Sequence, residues 1–284
     1  MDNLPLELIV EITQFMTIKD ILSLSSTCKE YRDIILNTRY DKVLRLKSRD
    51  VAFIKEYLYK FERVFKLDIN LSYKNIEDVS MLGGVHIHTL DLRCTRVKDV
   101  SMLGGVHKLY LCNTKVNDAS MLGGVNTLEL SHTKVKDVSA LGGVYDLDLS
   151  YTKVEDVSML GRVHTLDLSG TKVKDVSMLG GVHTLYLNYI RVKDVSMLGG
   201  VHTLNLAGTK VEDVSMLGDV HTLDLSHTNV EDVSMLGRVH TLDLSGTKVE
   251  DVSMLGRVHT LDLLGTNVKD VSMLGGVYTL ETQM

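Results

Sequence analysis

The 284-residue sequence predicts an α/β solenoid, a stack of short coils with a parallel β-sheet on its concave face, preceded by a small all-α domain. Three observations lead there. One 19-residue unit recurs along most of the chain: the Asp opening its Asp-Val-Ser segment stands at 99, 118, 137, 156, 175, 194, 213, 232, 251 and 270. Each unit holds a Leu-x-Leu core in which apolar and polar residues alternate, the two-residue period of a strand. Residues 1–42 lack the unit and place apolar residues at helical spacing instead.

Within the N-terminal stretch, Leu4, Leu8, Ile12, Phe15 and Met16 share a helical face, and Pro5 suits a first helical turn. Residues 43–77 read as a linking repeat with a full helix. Val43 to Leu46 forms a strand, Ser48 caps a helix through Val51, Ile54, Leu58 and Phe61, and Phe65 to Ile69 forms the next strand. Residues 78–284 are the tight coils, the first of them lengthened to 21 residues around His86, Ile87 and His88. The sequence stops halfway through a coil, an end expected to fray.

In the coil that begins at Val163, Leu166 and Leu168 point inward, and Val163, Val173, Val176 and Leu179 complete the lining. No coil buries that lining alone, so stacking supplies the core. After the strand too few residues remain for a full helix. Asp-Val-Ser-Met-Leu-Gly predicts one helical or 3₁₀ turn, capped by Asp or Ser and closed by Gly in a left-handed conformation. That Gly stands at 83, 104, 123 and onward to 275, and the residue after it, Arg162 or Asp219 for example, is expected on the surface. A threonine column runs from Thr95 to Thr266, broken by Ile190, and is expected to satisfy backbone groups where the strand turns away.

Two family resemblances follow from these residues. The repeated Leu-x-Leu unit resembles the leucine-rich repeat, here in a short form. The opening segment, Leu4-Pro5-x-Glu7-Leu8 with Ile12, then Leu24-Ser25 and Thr27-Cys28-Lys29 with Tyr31-Arg32, resembles an F-box. Met16 and Ile18 stand where that family more often has Leu. An F-box ahead of leucine-rich repeats is similar to the substrate receptors of SCF-type cullin–RING ubiquitin ligases. The resemblance implies that Leu4, Pro5, Glu7, Leu8, Ile12, Leu22, Leu24, Cys28 and Tyr31 meet the Skp adaptor, while the repeats hold a client. The other reading is a helical cap on a ubiquitin-independent binding scaffold. The near-identity of the coils also resembles repeat proteins of large DNA viruses.

The outward position between the strand leucines reads Asp68, Asp91, Tyr110, Glu129, Asp148, Asp167, Tyr186, Asn205, Asp224, Asp243, Asp262 and Glu281. Nine of the twelve are acidic, and like charges facing across a ladder repel, so a client with a basic surface would relieve them. The competing explanation is that copying the unit copied its Asp. Positions Asp91 to Asp262 of this column form the expected client-binding face, with departures from the repeat near residues 108–113 and 186–191 marking two contact patches.

Charge agrees with a protein client. Residues 1–66 carry 12 Lys+Arg against 10 Asp+Glu, a net +2, leaving 19 against 27, a net −8, for the repeats. That disfavours nucleic acid. Three cysteines, Cys28, Cys94 and Cys112, fit a reducing compartment rather than a disulfide scaffold. No run of apolar residues is long enough for a membrane span, and the N-terminus lacks a signal peptide's basic and apolar regions. The expectation is an intracellular protein of cytoplasm or nucleus, a host cell's if the chain is viral.

Histidines 88, 107, 164, 183, 202, 221, 240 and 259 form one column, expected as stacked neutral rings rather than a zinc site, because a ladder does not converge tetrahedrally. The methionine column, Met81 to Met273 interrupted by Ala140, is expected to pack between coils, the other reading being a Met-rich docking strip. No catalytic set stands apart from the repeat, so neither an enzyme nor a cofactor or metal is expected.

Overall fold

The computed structural model describes residues 42–47 and 65–282, together with Ile12, Thr13, Met16, Thr17, Asp20, Ile21 and Ser23. Within them thirteen strands form one parallel sheet in strict chain order. They are β1 (Val43–Lys47), β2 (Lys66–Asn70), β3 (Ile87–Asp91), and ten three-residue strands from β4 (Lys108–Tyr110) to β13 (Thr279–Glu281). Sequential order is what nearest-neighbour stacking of copied coils produces: each strand pairs with the same strand of the next unit, Leu166 opposite Leu185, Leu185 opposite Leu204. The extra residues of the first coil appear as a register shift between β2 and β3 after Leu67.

Each coil buries the residues the unit marks as apolar. Val163, Leu166, Leu168, Val173 and Leu179 are fully enclosed, and Val176 nearly so. They join a single core that runs the length of the solenoid. In the last described coil, Val271 and Leu280 are exposed.

The coil's convex corner is a 3₁₀ turn in most units, Ser177–Leu179 for example. Its cap is the aspartate: Ser177 N–H donates to Asp175 Oδ1 at 2.9 Å, and the same bond recurs from Asp78 to Asp270. These bonds hold the Asp99, Asp118 and Asp175 carboxyls below their ordinary range. The closing glycine corrects one expectation. It is not left-handed: Gly104, Gly180 and Gly256 have φ near −60°. Its constraint is contact. A Cβ on Gly104, Gly180 or Gly256 would come closer than 3.0 Å to the backbone carbonyl oxygen of Met121, Met197 or Met273 in the next coil. Glycine is required because coils touch backbone to backbone there. Arg162 and Asp219, one residue on, are exposed as expected.

The methionine column also departs from expectation. Met81 and Met102 pack against the core, whereas Met121, Met159, Met178, Met197, Met216, Met235, Met254 and Met273 are about 60% exposed. With the carbonyl of each Met seated over a glycine, the adjoining leucine (Leu122, Leu179) turns inward and the Met side chain projects outward. Threonines behave as predicted. Thr171 Oγ1 donates to the Leu168 carbonyl at 2.6 Å, and the same bond repeats from Thr95 to Thr266. Ile190 fills the same place with a buried apolar side chain.

At the N-terminus, Ile12, Thr13, Asp20, Ile21 and Ser23 are helical. Thr17 and Asp20 form a reciprocal cap: the Asp20 N–H donates to Thr17 Oγ1, and Thr17 N–H to Asp20 Oδ2. Ile21 is fully buried in the core, and Met16 packs against that core. The expected helix through Val51, Ile54, Leu58 and Phe61 lies outside the described residues.

Candidate protein-binding surface

From Tyr110 to Asp262 the outward strand column lies half-buried between inward leucines, with Asp91 buried and Glu281 exposed. Asp68, expected in the same column, is out of register, facing Thr89, and Asn70 is the residue opposite Asp91. Register sets acid opposite acid: Asp148 faces Asp167, Asp224 faces Asp243, and Asp243 faces Asp262. Each of these carboxylates has a second duty that the sequence did not disclose. Ser150 N–H donates to Asp148 Oδ1 at 2.8 Å, Ser169 N–H to Asp167, Ser226 N–H to Asp224, and Leu264 N–H to Asp262. The aspartate bends the chain out of the strand as an Asx turn. The repeated aspartate thus has a structural reason of its own, as a copied turn residue whose charge still lies on the concave face. Burial pushes the Asp167 and Glu129 carboxyls up, the cost of crowding acids on a partly desolvated ladder.

The column is relieved at two places. Arg93 lies against Asp91, Nε on Oδ1 at 3.0 Å and Nη2 on Oδ2 at 2.8 Å, with its guanidinium 5.4 Å from the Tyr110 ring centre. Asn205 Nδ2 donates to Asp224 Oδ2 at 2.7 Å. The stretches Asp148–Asp167 and Asp224–Asp262 carry most of the remaining charge.

Around residues 186–191, Tyr186 is half-buried on the concave face, Tyr189 is exposed, and Asn188 Oδ1 is buried without a hydrogen-bond partner. Near residues 108–113, Tyr110 lies under Arg93, while Cys94 and Cys112 are free thiols. Burial raises the Tyr110 hydroxyl and the Cys112 thiol above their usual values.

One column was missed. The residue three past the outward strand position, just before the threonine in most coils, is left-handed from Tyr73 to Gly265. Tyr73, Cys94, Asn113, His132, Tyr151, Tyr189 and His227 have φ between 56° and 59°, while Gly170, Gly208, Gly246 and Gly265 lie between 66° and 70°. A non-glycine residue held there costs on the order of 1 kcal/mol. The mixture of Gly and Asn at this position was the available signal, since both tolerate positive φ.

The histidine column is a ring stack. Tyr145, His164, His183, His202, His221, His240, His259 and Tyr278 follow one another at 4.4 to 4.9 Å between centroids. His88 and His107 meet edge to face at 5.0 Å. Among the described residues no group of three or more His, Cys, Asp or Glu is placed to hold a metal ion. The surface grooves lie between coils on the convex turn, one lined by Asp99, Ser101, Asp118 and Met121, another by Asp194, Ser196, Asp213 and Met216. They repeat with the unit.

Of the residues expected to meet an adaptor, Ile12 is helical and 45% exposed. Leu4, Pro5, Glu7, Leu8, Leu22, Leu24, Cys28 and Tyr31 lie outside the described residues. Among the described residues no helix is long and apolar enough to cross a membrane.

No curated protein matches the sequence. Among solved structures, the chain is similar to an internalin (inlF) from Listeria monocytogenes, at 18% identity and TM-score 0.66 over 93% of each chain. It also resembles the functional domain of InlJ from Listeria monocytogenes, at 19% identity and TM-score 0.61, over 78% of this chain and 58% of that one. TLR13, solved in complex with ssRNA13, aligns at 17% identity and TM-score 0.62 over 88% of this chain and 44% of its own. These likenesses establish the fold. Residues 1–42 match the F-box domain model, so an F-box domain precedes a solenoid of leucine-rich-repeat fold, a combination of protein-interaction modules.

Proposed function

We propose that this protein is the substrate-recognition subunit of an SCF-type cullin–RING ubiquitin ligase. Leu4, Pro5, Glu7, Leu8, Ile12, Leu22, Leu24, Cys28 and Tyr31 dock the Skp adaptor, and the concave column from Asp91 to Asp262 holds a client with a basic surface. The observation that carries this reading is the F-box match over residues 1–42 directly ahead of a solenoid of leucine-rich-repeat fold. Ubiquitin is delivered by other subunits, and this chain acts by positioning, inside the cytoplasm or nucleus. The resemblance of the near-identical coils to repeat proteins of large DNA viruses and some protists is the ground for proposing a viral source.

The concave chemistry supports a protein client. Facing carboxylates repel unless a cation sits between them. Arg93 on Asp91, stacked over Tyr110, is an internal example of how a client's arginine is received. Although TLR13 was solved with RNA, a concave face with this column repels a phosphate backbone.

The test is co-elution of the purified intact chain with the Skp adaptor by size exclusion, beside a Leu4→Ala/Pro5→Ala variant. The expected result is one complex peak for the intact chain and none for the variant, with both showing the same circular dichroism. No complex from a well-folded intact chain leaves a ubiquitin-independent binding scaffold with a helical cap.

A further inference from the structure

The geometry points to a receptor for basic polyproline-II peptides along the corner where the chain leaves the concave sheet. This inference rests on the reading of the concave face as the client surface and specifies the client's chemistry.

The left-handed column is the first observation. Gly170, Gly208, Gly246 and Gly265 hold the same backbone as Tyr151, Tyr189 and His227, so glycine serves this corner wherever it occurs. Aromatic side chains are nevertheless held at a φ that L residues resist. The second observation is where those rings lie. A Cβ built on Gly170 falls 2.7 Å from Tyr151 Cδ1, one on Gly208 falls 2.6 Å from Tyr189 Cδ1, and one on Gly246 meets His227 Nδ1 at 2.5 Å. Each of these three rings therefore spreads over the neighbouring coil's glycine, whereas His132, one coil before Tyr151, stacks on the Tyr151 ring at 4.7 Å between centroids. The rings are fixed in place by packing yet remain open to solvent, Tyr151 at 52% and Tyr189 at 65% exposure.

Spacing is the third observation. Beyond the His132–Tyr151 pair, which is one coil apart, Tyr151, Tyr189 and His227 are separated by 38 residues, two coils each time. At the usual sheet spacing two coils span about 9.6 Å. A polyproline-II helix rises ~3.1 Å per residue with three residues per turn, so it returns the same edge every ~9.3 Å. An extended strand turns every third residue to the opposite face, and an α-helix returns an edge every ~5.4 or ~10.8 Å, which drifts off the rings. Only the polyproline helix keeps register along all three.

Charge is the fourth. Three residues before the column, Asp148, Asp167, Asp224 and Asp243 run beside the rings on the same coils as Tyr151, Gly170, His227 and Gly246. A polyproline helix with one edge of prolines on the rings turns its next edge toward these carboxylates. Arginine on that edge pairs with them as Arg93 pairs with Asp91.

The test uses the full chain and two labelled peptides in fluorescence anisotropy, one of four Pro-Pro-Arg triplets and one of four Gly-Gly-Arg triplets, equal in charge. The Pro-Pro-Arg peptide is expected to bind about tenfold more tightly. That advantage disappears in a Tyr151→Gly/Tyr189→Gly/His227→Gly variant, which adopts a residue this corner already uses and whose fold is checked by circular dichroism. An Asp148→Asn/Asp167→Asn/Asp224→Asn/Asp243→Asn variant weakens both peptides. Equal affinity for the two peptides, or an advantage unchanged by the glycine variant, overturns the polyproline inference. If the asparagine variant still abolishes that binding, the concave reading stands without it. A folded chain that binds neither peptide sinks both.

Discussion

The two corners of each coil obey opposite rules. At the convex corner, Asp-Val-Ser-Met-Leu-Gly is nearly invariant from Asp78 to Gly275, because the glycine leaves no room between one backbone and the next. At the corner leaving the concave sheet, the same solenoid accepts Tyr, Cys, Asn, His and Gly at a position of positive φ. Freedom and strain coincide there, and uniformity coincides with contact. In a stack of copies, the repeated contacts hold the stack together, and variation is confined to positions free of such backbone contact.

The largest effect expected inside this contrast comes from the shared core. Leu185→Ala, at a fully buried position paired on both sides, should cost about 3 kcal/mol and lower the thermal midpoint of the solenoid. A loss under about 1 kcal/mol would mean that coils are held by their corners alone.

Smaller is the threonine column. Thr228→Val removes a buried hydroxyl that donates to the Leu225 carbonyl at 2.6 Å, and should cost about 1 kcal/mol by chemical denaturation. Valine without penalty would show that Ile190 represents the column's real preference and that the hydroxyls are incidental.

The smallest effect is set by pH. Both rings are exposed, yet desolvation against their neighbours in the stack, followed by the neighbouring imidazoles' charge, lowers His183 and His221 below the ordinary 6.5. A folded value below the unfolded one means the folded state resists protonation. The contribution of the ring stack is then complete above pH 6.5 and is lost as pH falls through 6.5 toward the folded values. Melting temperature should fall modestly between pH 7.5 and 5.5, and His183→Gln/His221→Gln should flatten the slope. Asp167, raised by burial, acts with the opposite sign, but within the carboxylate range at lower pH. A flat profile in the unaltered chain removes the histidine stack from the stability account.

Much of this was legible because a copied unit announces its own period. The 19-residue step fixed the coil, Leu166 and Leu168 fixed the inward face, and the outward column from Asp91 to Asp262 lies where its alternation placed it. What stayed hidden depended on neighbours. The reason for Gly180 is the carbonyl of Met197, a contact between coils that no single unit displays. The exposure of Met197 follows from the same contact. The Asx role of Asp167 requires the Ser169 N–H to point back, and the positive φ of Tyr151 contradicts its residue type. At the N-terminus the F-box was read from Leu4, Pro5 and Glu7, which lie outside the described residues, and the capping pair Thr17 and Asp20 was not anticipated.

The central claim, that one corner is set by backbone contact and the other by side-chain choice, is tested most directly by thermal unfolding of Gly180→Ala beside Tyr189→Gly. Gly180→Ala should lower the midpoint by about 5 °C or more, because a backbone carbonyl must move. Tyr189→Gly should leave it within about 2 °C, since relief of the left-handed strain offsets the lost ring packing. A harmless Gly180→Ala together with a strongly destabilising Tyr189→Gly would contradict the account.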